Sequence, residues 1–221
     1  MKISCKLTQS DNYIKKLMAE ALRDELNRIV GTVGTFIEAN VRLLFYDYIT
    51  NSEEWTSLKS GKLRAQFGLP DDVEERLVKI LGVWLASVKV TTAPILASNG
   101  KISGKIILNM IQANWRDVDY SLGEAFITTK KGKNLPWLAW LLTAGDKRII
   151  VDYKAVEGDF SRTAASRSHM GLMFKKEGVY SWGVPPEYAG TESDNFVTKI
   201  LDKIGDDILD LMVNELIRQL R

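Results

Sequence analysis

One cysteine, one histidine and five prolines in 221 residues leave out much of the usual chemistry of a site. A lone Cys5 excludes an intramolecular disulfide framework. A lone His169 excludes a multi-histidine zinc centre, and no Cys-x-x-Cys is present to supply thiolates instead. Cys5 and His169 each fall in an apolar, strand-like stretch, which does not suit a nucleophile–base dyad. Surplus charge is missing too: 30 Lys and Arg against 28 Asp and Glu leave +2, which is not by itself the footprint of a nucleic-acid-binding domain. No uninterrupted apolar run reaches the roughly 18 residues of a bilayer span. The opening Met1-Lys2-Ile3-Ser4-Cys5-Lys6 lacks the apolar stretch of a secretory signal. The expected setting is a reducing cytoplasm, or an assembly built there, with no membrane partner.

The motifs of common enzymes are absent or incomplete. Gly100-Lys101 and Gly104-Lys105 lack the earlier glycine and the following Ser or Thr of a phosphate loop. No serine sits in a Gly-x-Ser-x-Gly elbow. Ser98-Asn99-Gly100-Lys101 fits Ser-x-x-Lys at only two fixed positions, and its Asn-Gly suits a turn better than a nucleophile. Asp71, Asp72, Glu74 and Glu75 follow Leu69-Pro70, where the first turn of a helix favours acids. The inventory predicts no catalysis, no cofactor and no metal.

What is present is patterning. Ile3, Cys5 and Leu7 alternate with Lys2, Ser4 and Lys6, the period of a half-buried strand. From a cap at Ser10 or Asp11, apolar residues recur in steps of three and four through Phe45, which predicts an amphipathic helix of some 45–50 Å. Gly31 and Gly34 interrupt it and suit a bend or a close approach. Such a stripe calls for a sheet or another protomer against it. Two further helices are expected over residues 55–67 and 72–88, with residues 91–95 as a connector. Strands are expected over 101–112, 119–129 and 148–153, and a hairpin from 169–174 and 179–184. A short Trp-rich helix spans 136–144, started by Pro136 and closed by Gly145. Residues 157–168 read as a polar, flexible loop, a candidate for ordering on assembly. A last helix runs from a cap at Ser193 or Asp194 to the end, over 194–221. The order predicts an α+β fold, long N-terminal and C-terminal helices packed on a mostly antiparallel sheet. It reads as one domain, 1–221, with 10–88 mainly helical and 101–184 mainly strands.

Charge is uneven along the chain. Residues 130–176 hold ten Lys and Arg against four acids, a local +6, whereas residues 191–221 hold four against seven, a local −3. Two ordinary solvated faces are the plain reading; complementarity between copies is the alternative.

Three segments carry a resemblance. Ser60-Gly61-Lys62-Leu63-Arg64 resembles the S/T-G-x-L-R segment that follows the first long helix in bacteriophage tail-completion and head–tail joining proteins. Leu135-Pro136-Trp137-Leu138-Ala139-Trp140-Leu141-Leu142, with Gly145-Asp146, resembles the Trp-rich short helix of neck proteins in contractile-tailed phages. The stretch from Trp182 through Val184-Pro185-Pro186-Glu187-Tyr188-Ala189-Gly190-Thr191 to Asp194-Asn195-Phe196 resembles their closing module. The resemblance covers about two thirds of the chain. It implies a non-enzymatic virion protein assembled in the host cytoplasm. Copies would form a homo-oligomeric ring, a hexamer in the family, between portal and tail proteins, holding packaged DNA in.

On that reading the candidate channel or partner contacts are Lys130, Lys131, Lys133, Arg162, Arg167, Lys175 and Lys176, which suit nonspecific, salt-dependent phosphate contacts or an acidic partner. Trp137, Trp140 and Trp182 serve either as plain core or as anchors between protomers. The competing function is a cytoplasmic nucleic-acid-binding or regulatory module that uses the basic 130–176 block. Aromatics interleaved with basic side chains on one sheet surface would favour it.

Overall fold

Forty proline-free residues form one helix, α1 (Asp11–Thr50), about 60 Å long at 1.5 Å per residue. Ser10 caps it, its hydroxyl accepting from the Tyr13 N–H at 3.4 Å. The computed structural model describes residues 9–109, 123–129, 132–162, 166–176, 178 and 180–221, and over them the chain is α+β. The alternating segment 1–8 lies outside the described residues. The remaining helices are α2 (Glu53–Ser60), α3 (Lys62–Phe67), α4 (Val73–Ser87), α5 (Trp137–Thr143) and α6 (Phe196–Gln219). The strands are β1 (Lys89–Ser98), β2 (Lys101–Asn109), β3 (Ile127–Thr128), β4 (Asn134–Leu135), β5 (Ile150–Val151), β6 (Tyr153–Glu157), β7 (Gly171–Lys175) and β8 (Ser181–Trp182). They pair antiparallel in four two-stranded sheets: β1 with β2, β3 with β4, β5 with β8 and β6 with β7.

The sequence reads as one domain; by its contacts the chain divides into two compact units interleaved along it. One comprises Met1–Val41, Val88–Asn109 and Asp206–Arg221, the other Arg42–Ser87 and Met110–Gly205. In the first, α1 grips the β1–β2 hairpin through polar side chains. The Asn27 amide donates to the Ile95 carbonyl at 2.9 Å, and its oxygen accepts from the Ile95 N–H at 2.8 Å. A Glu38 carboxylate oxygen accepts from the Val90 N–H at 3.0 Å. A Cβ added at Gly34 would lie 3.1 Å from the Thr92 methyl, so the helix packs tightly on the strand there. Ile29, Val30, Val33, Ile37 and Val41 form the buried stripe. The hairpin turns at Asn99-Gly100, both with positive φ (52° and 71°), as a two-residue turn requires.

Residues 91–95, expected as a connector, are strand. Pro94 within this segment has no N–H for a ladder. The structure places it at a register shift between Ala93 and Leu96, the kind of position where a strand tolerates proline. Gly104 faces that bulge, and a Cβ there would sit 2.9 Å from Ile95 Cγ1.

The end of α6 completes this unit. Glu215 is buried although charged, because Arg218 Nε donates to it at 2.7 Å and Gln219 Nε2 at 2.8 Å. The guanidinium bond is the main reason its carboxyl lies below the ordinary glutamate value.

The second unit holds the larger core, with Phe45, Leu58, Leu63, Leu77, Trp84, Trp137 and Leu141 all nearly inaccessible. Phe45 and Phe196 flank Trp84 with ring centres at 6.5 and 6.4 Å. The single helix expected over 55–67 is broken at Gly61, whose backbone is extended. The Ser57 hydroxyl there accepts from the Leu63 N–H at 3.0 Å and restarts the helix as α3. Asn195, rather than Ser193 or Asp194, caps α6, accepting from the N–H groups of Val197 at 3.0 Å and Thr198 at 3.1 Å.

The strand expected over 119–129 is a 3-10 turn (Gly123–Ala125) followed by the two residues of β3, and residues 110–122 lie outside the described residues. Among the described residues, the hairpin expected from 169–174 and 179–184 does not form. Both segments pair instead with the stretch 150–157, on either side of Asp152. Asp152 takes a positive φ of 63°, and its carbonyl accepts from the Lys176 N–H at 2.7 Å while its own N–H donates to Tyr180 at 2.9 Å. One stretch thus exchanges partners at a single residue, which alternation alone does not reveal.

An 18-residue window of α1 has mean hydropathy 1.2, long and apolar enough by composition to cross a bilayer, and 39% of that window is buried inside the protein. Glu38 and Arg42 divide the stretch, so it contains no uninterrupted apolar run of that length. Both charges are engaged within the fold, Glu38 as above and Arg42 through Nε, which donates to the Leu85 carbonyl at 3.2 Å.

Candidate functional site

The short helices of the second unit place an aromatic cluster at one cleft. Phe67 is the last residue of α3, which Gly68 ends in a left-handed turn with φ 64°. Trp182 on β8 meets Phe67 edge-on, with ring centres 5.6 Å apart. Its indole N–H donates to Gln66 Oε1 at 3.0 Å, and Gln66 Nε2 in turn donates to Glu157 at 2.8 Å. Trp140 reaches the same ring from α5, at 6.0 Å. Trp137, three residues earlier, turns inward: it is 1% exposed and its N–H donates to the Glu124 carbonyl at 3.0 Å. So Trp137 is core, Trp182 is nearly buried, and Trp140 is only half-buried.

Phe67, Leu135, Trp140, Ile150, Met173 and Trp182 line a cleft of about 330 Å³, with Arg167 beside them. Arg167 was expected on a flexible loop. The loop is exposed over 157–159 and 161–162, but its end is packed, with Ser166 and Ser168 buried and the Ser166 hydroxyl donating to the Gly171 carbonyl at 2.6 Å. This holds Arg167 half-buried against Gly68, where its Nη1 donates to the Thr128 carbonyl at 3.1 Å. Burial pushes its pKa down, and among the described residues no carboxylate pairs with it. The cleft therefore joins an aromatic wall to a partly dehydrated, uncompensated cation. Chemically it suits an apolar side chain accompanied by an anion.

No family model, curated protein or solved structure matches this chain.

Among the described residues, no group of three or more His, Cys, Asp or Glu side chains is placed to hold a metal ion. His169, expected within a strand, takes a positive φ of 56° on an exposed turn, its Nε2 3.6 Å from Asp71 Oδ2.

The other expected contacts fall elsewhere. Lys130 and Lys131 lie outside the described residues. Lys133 and Arg162 are exposed on separate turns. Lys175 is exposed at the end of β7. Lys176 Nζ stands 4.8 Å from the Tyr180 ring centre, and Lys154 Nζ stands 5.6 Å from the same ring. Phe174, directly across the β6–β7 ladder from Lys154, is 47% exposed. Sequence reasoning found Arg167, Trp140 and Trp182 but did not join them. It missed Phe67 and Gln66, whose roles depend on the break at Gly61, and Lys154, Phe174 and Tyr180, whose grouping depends on the β6–β7 register.

Gly171 sets how closely β7 lies on α3. A Cβ there would stand 2.6 Å from the Ala65 carbonyl oxygen, a backbone atom that no rotamer change can move. Gly171→Ala is expected to cost roughly 1–3 kcal/mol through this overpacking. Denaturant unfolding checks it; an unchanged midpoint would contradict the packing described.

Proposed function

We propose that this chain is a structural subunit of a contractile-tailed phage neck: a head-to-tail connector or tail-completion protein, a ring of copies that joins portal to tail and helps retain packaged DNA. The observation that carries the reading is a second apolar stripe on α6. Ile204 is buried and Ile208 and Leu211 are partly buried on one side of that helix. On the far side, Leu209, Val213, Ile217 and Leu220 are 53%, 43%, 47% and 42% exposed. At 3.6 residues per turn these four lie within about 80° of arc. A helix apolar on two faces has more to bury than one chain covers, and each large aliphatic side chain contributes roughly 1.5–3 kcal/mol when covered. A face that meets a different patch on the next copy generates a ring when the rotation closes.

The resembling segments support the same reading. Ser60 to Arg64 span the α2–α3 break, and Leu135 to Leu142 include α5. The closing module is bonded directly to the end of α5: the Gly190 N–H donates to the Leu141 carbonyl at 3.1 Å, and the Gly145 N–H to the Gly190 carbonyl at 2.8 Å. The purified 221-residue chain is expected to give a light-scattering mass near that of six copies of its 24.9 kDa. A mass of one copy at every protein concentration would contradict self-assembly.

The surface around Tyr180 favours a second reading, a nucleic-acid-binding module. Lys154, Lys176, Phe174 and Tyr180 interleave cations and exposed rings on one face, as single-strand binders do. Anisotropy of a labelled oligonucleotide tests it. Tight binding by a monomer, with a salt slope that falls by roughly one on Lys176→Ala, would replace the first reading. Absence of binding at low salt would dismiss the second.

A further inference from the structure

We infer that the Phe67–Trp140–Trp182 cleft is the receptor for the exposed stripe of α6 from a second copy of this chain, with Arg167 paired to the carboxylates that border the stripe. The inference rests on the proposed ring and names the contact that builds it. Two incomplete surfaces are involved. The cleft offers about 330 Å³ between aromatic and aliphatic walls, and its cation has no carboxylate among the described residues. The stripe offers Leu209 and Val213, both exposed. Asp206 and Asp210 stand three residues before Leu209 and Val213 respectively, and so share their side of the helix. Both aspartates are exposed, and neither pairs with a cation among the described residues.

Each surface lacks what the other carries. An aliphatic side chain seated against Trp140 would exclude water from Arg167, and an aspartate delivered beside it would compensate the guanidinium in that drier setting. The regional charges point the same way, +6 over residues 130–176 and −3 over residues 191–221. Because cleft and stripe are different patches, each copy carries one of each. The contact is then head-to-tail, the kind that closes into rings.

Charge exchange in the 221-residue chain tests this. Arg167→Glu alone, and Asp206→Arg with Asp210→Arg, are each expected to raise the concentration for half-assembly by at least tenfold, with far-UV dichroism unchanged. The three substitutions together are expected to restore assembly. A second measurement stands apart from folding defects. In a Cys5→Ser background, Met173→Cys with Val213→Cys is expected to give a ladder of disulfide-linked multimers on oxidation, and either cysteine alone is expected to give no ladder. If the wild type forms rings, but Arg167→Glu leaves them intact and no ladder appears, this contact is overturned and the ring stands. If the wild type stays a single copy and no ladder appears, both fall.

Discussion

Replacing Trp137 by alanine is expected to lower the unfolding free energy by about 3–5 kcal/mol, the range for deleting a large aromatic from a packed core. The side chain is 1% exposed and packs against Phe67 at 6.1 Å between ring centres. Its N–H is hydrogen-bonded to the Glu124 carbonyl, so truncation also leaves that acceptor without its donor. Two losses coincide, a cavity and an unpaired carbonyl. Trp140→Ala, on the same helix but half-buried at the cleft, is expected to cost less than half as much. Equilibrium unfolding in denaturant measures both. Equal losses at the two positions would contradict the assignment of one to core and the other to a surface.

Leu209→Glu together with Val213→Glu is expected to abolish assembly while leaving the single chain folded. Both side chains are already exposed in one copy, at 53% and 43%, so a carboxylate there meets water and costs the monomer little. In an assembly the same two carboxylates would be buried in an apolar contact, at several kcal/mol each unless paired. The light-scattering mass should fall to that of one copy, with a melting temperature within a few degrees of the wild type. An unchanged mass would remove α6 from the interface. A chain that no longer folds would mean that the stripe is core, contrary to its exposure.

The helices were legible because their signal is local. Residues 11–50 repeat their apolar side chains in steps of three and four without proline, and α4 and α6 do so nearly as plainly. Their exact ends were less so, since Asn195 outcompetes Ser193 and Asp194 as the cap of α6. The strands were legible only in part: residues 101–109 and 171–174 read as strand, whereas 91–95 read as a connector and most of 153–157 went unassigned. That 150–157 divides its pairing between β8 and β7 at Asp152 is a tertiary choice, fixed by where β7 can lie on α3 through Gly171. Residues 91–95 read as a connector and are strand, with a register shift at Pro94.

The site was half legible. Arg167, Trp140 and Trp182 stand out as residue types, and the basic 130–176 block as a composition. Their division into an aromatic cleft around Arg167 and a Tyr180 patch around Lys154 and Lys176 has no sequence signature, because it rests on contacts between residues as far apart as Gln66 and Trp182. The second stripe of α6 was present in the sequence as Leu209, Val213, Ile217 and Leu220. Only the exposure of those four, opposite a buried set on the same helix, separates an uncovered face from a core one.

End-on electron-microscope images of the protein are expected to show closed rings with a central opening, six copies around, that disappear when Leu209 and Val213 both become glutamate. Single globular particles at every concentration, or open filaments in place of rings, would contradict the proposed ring.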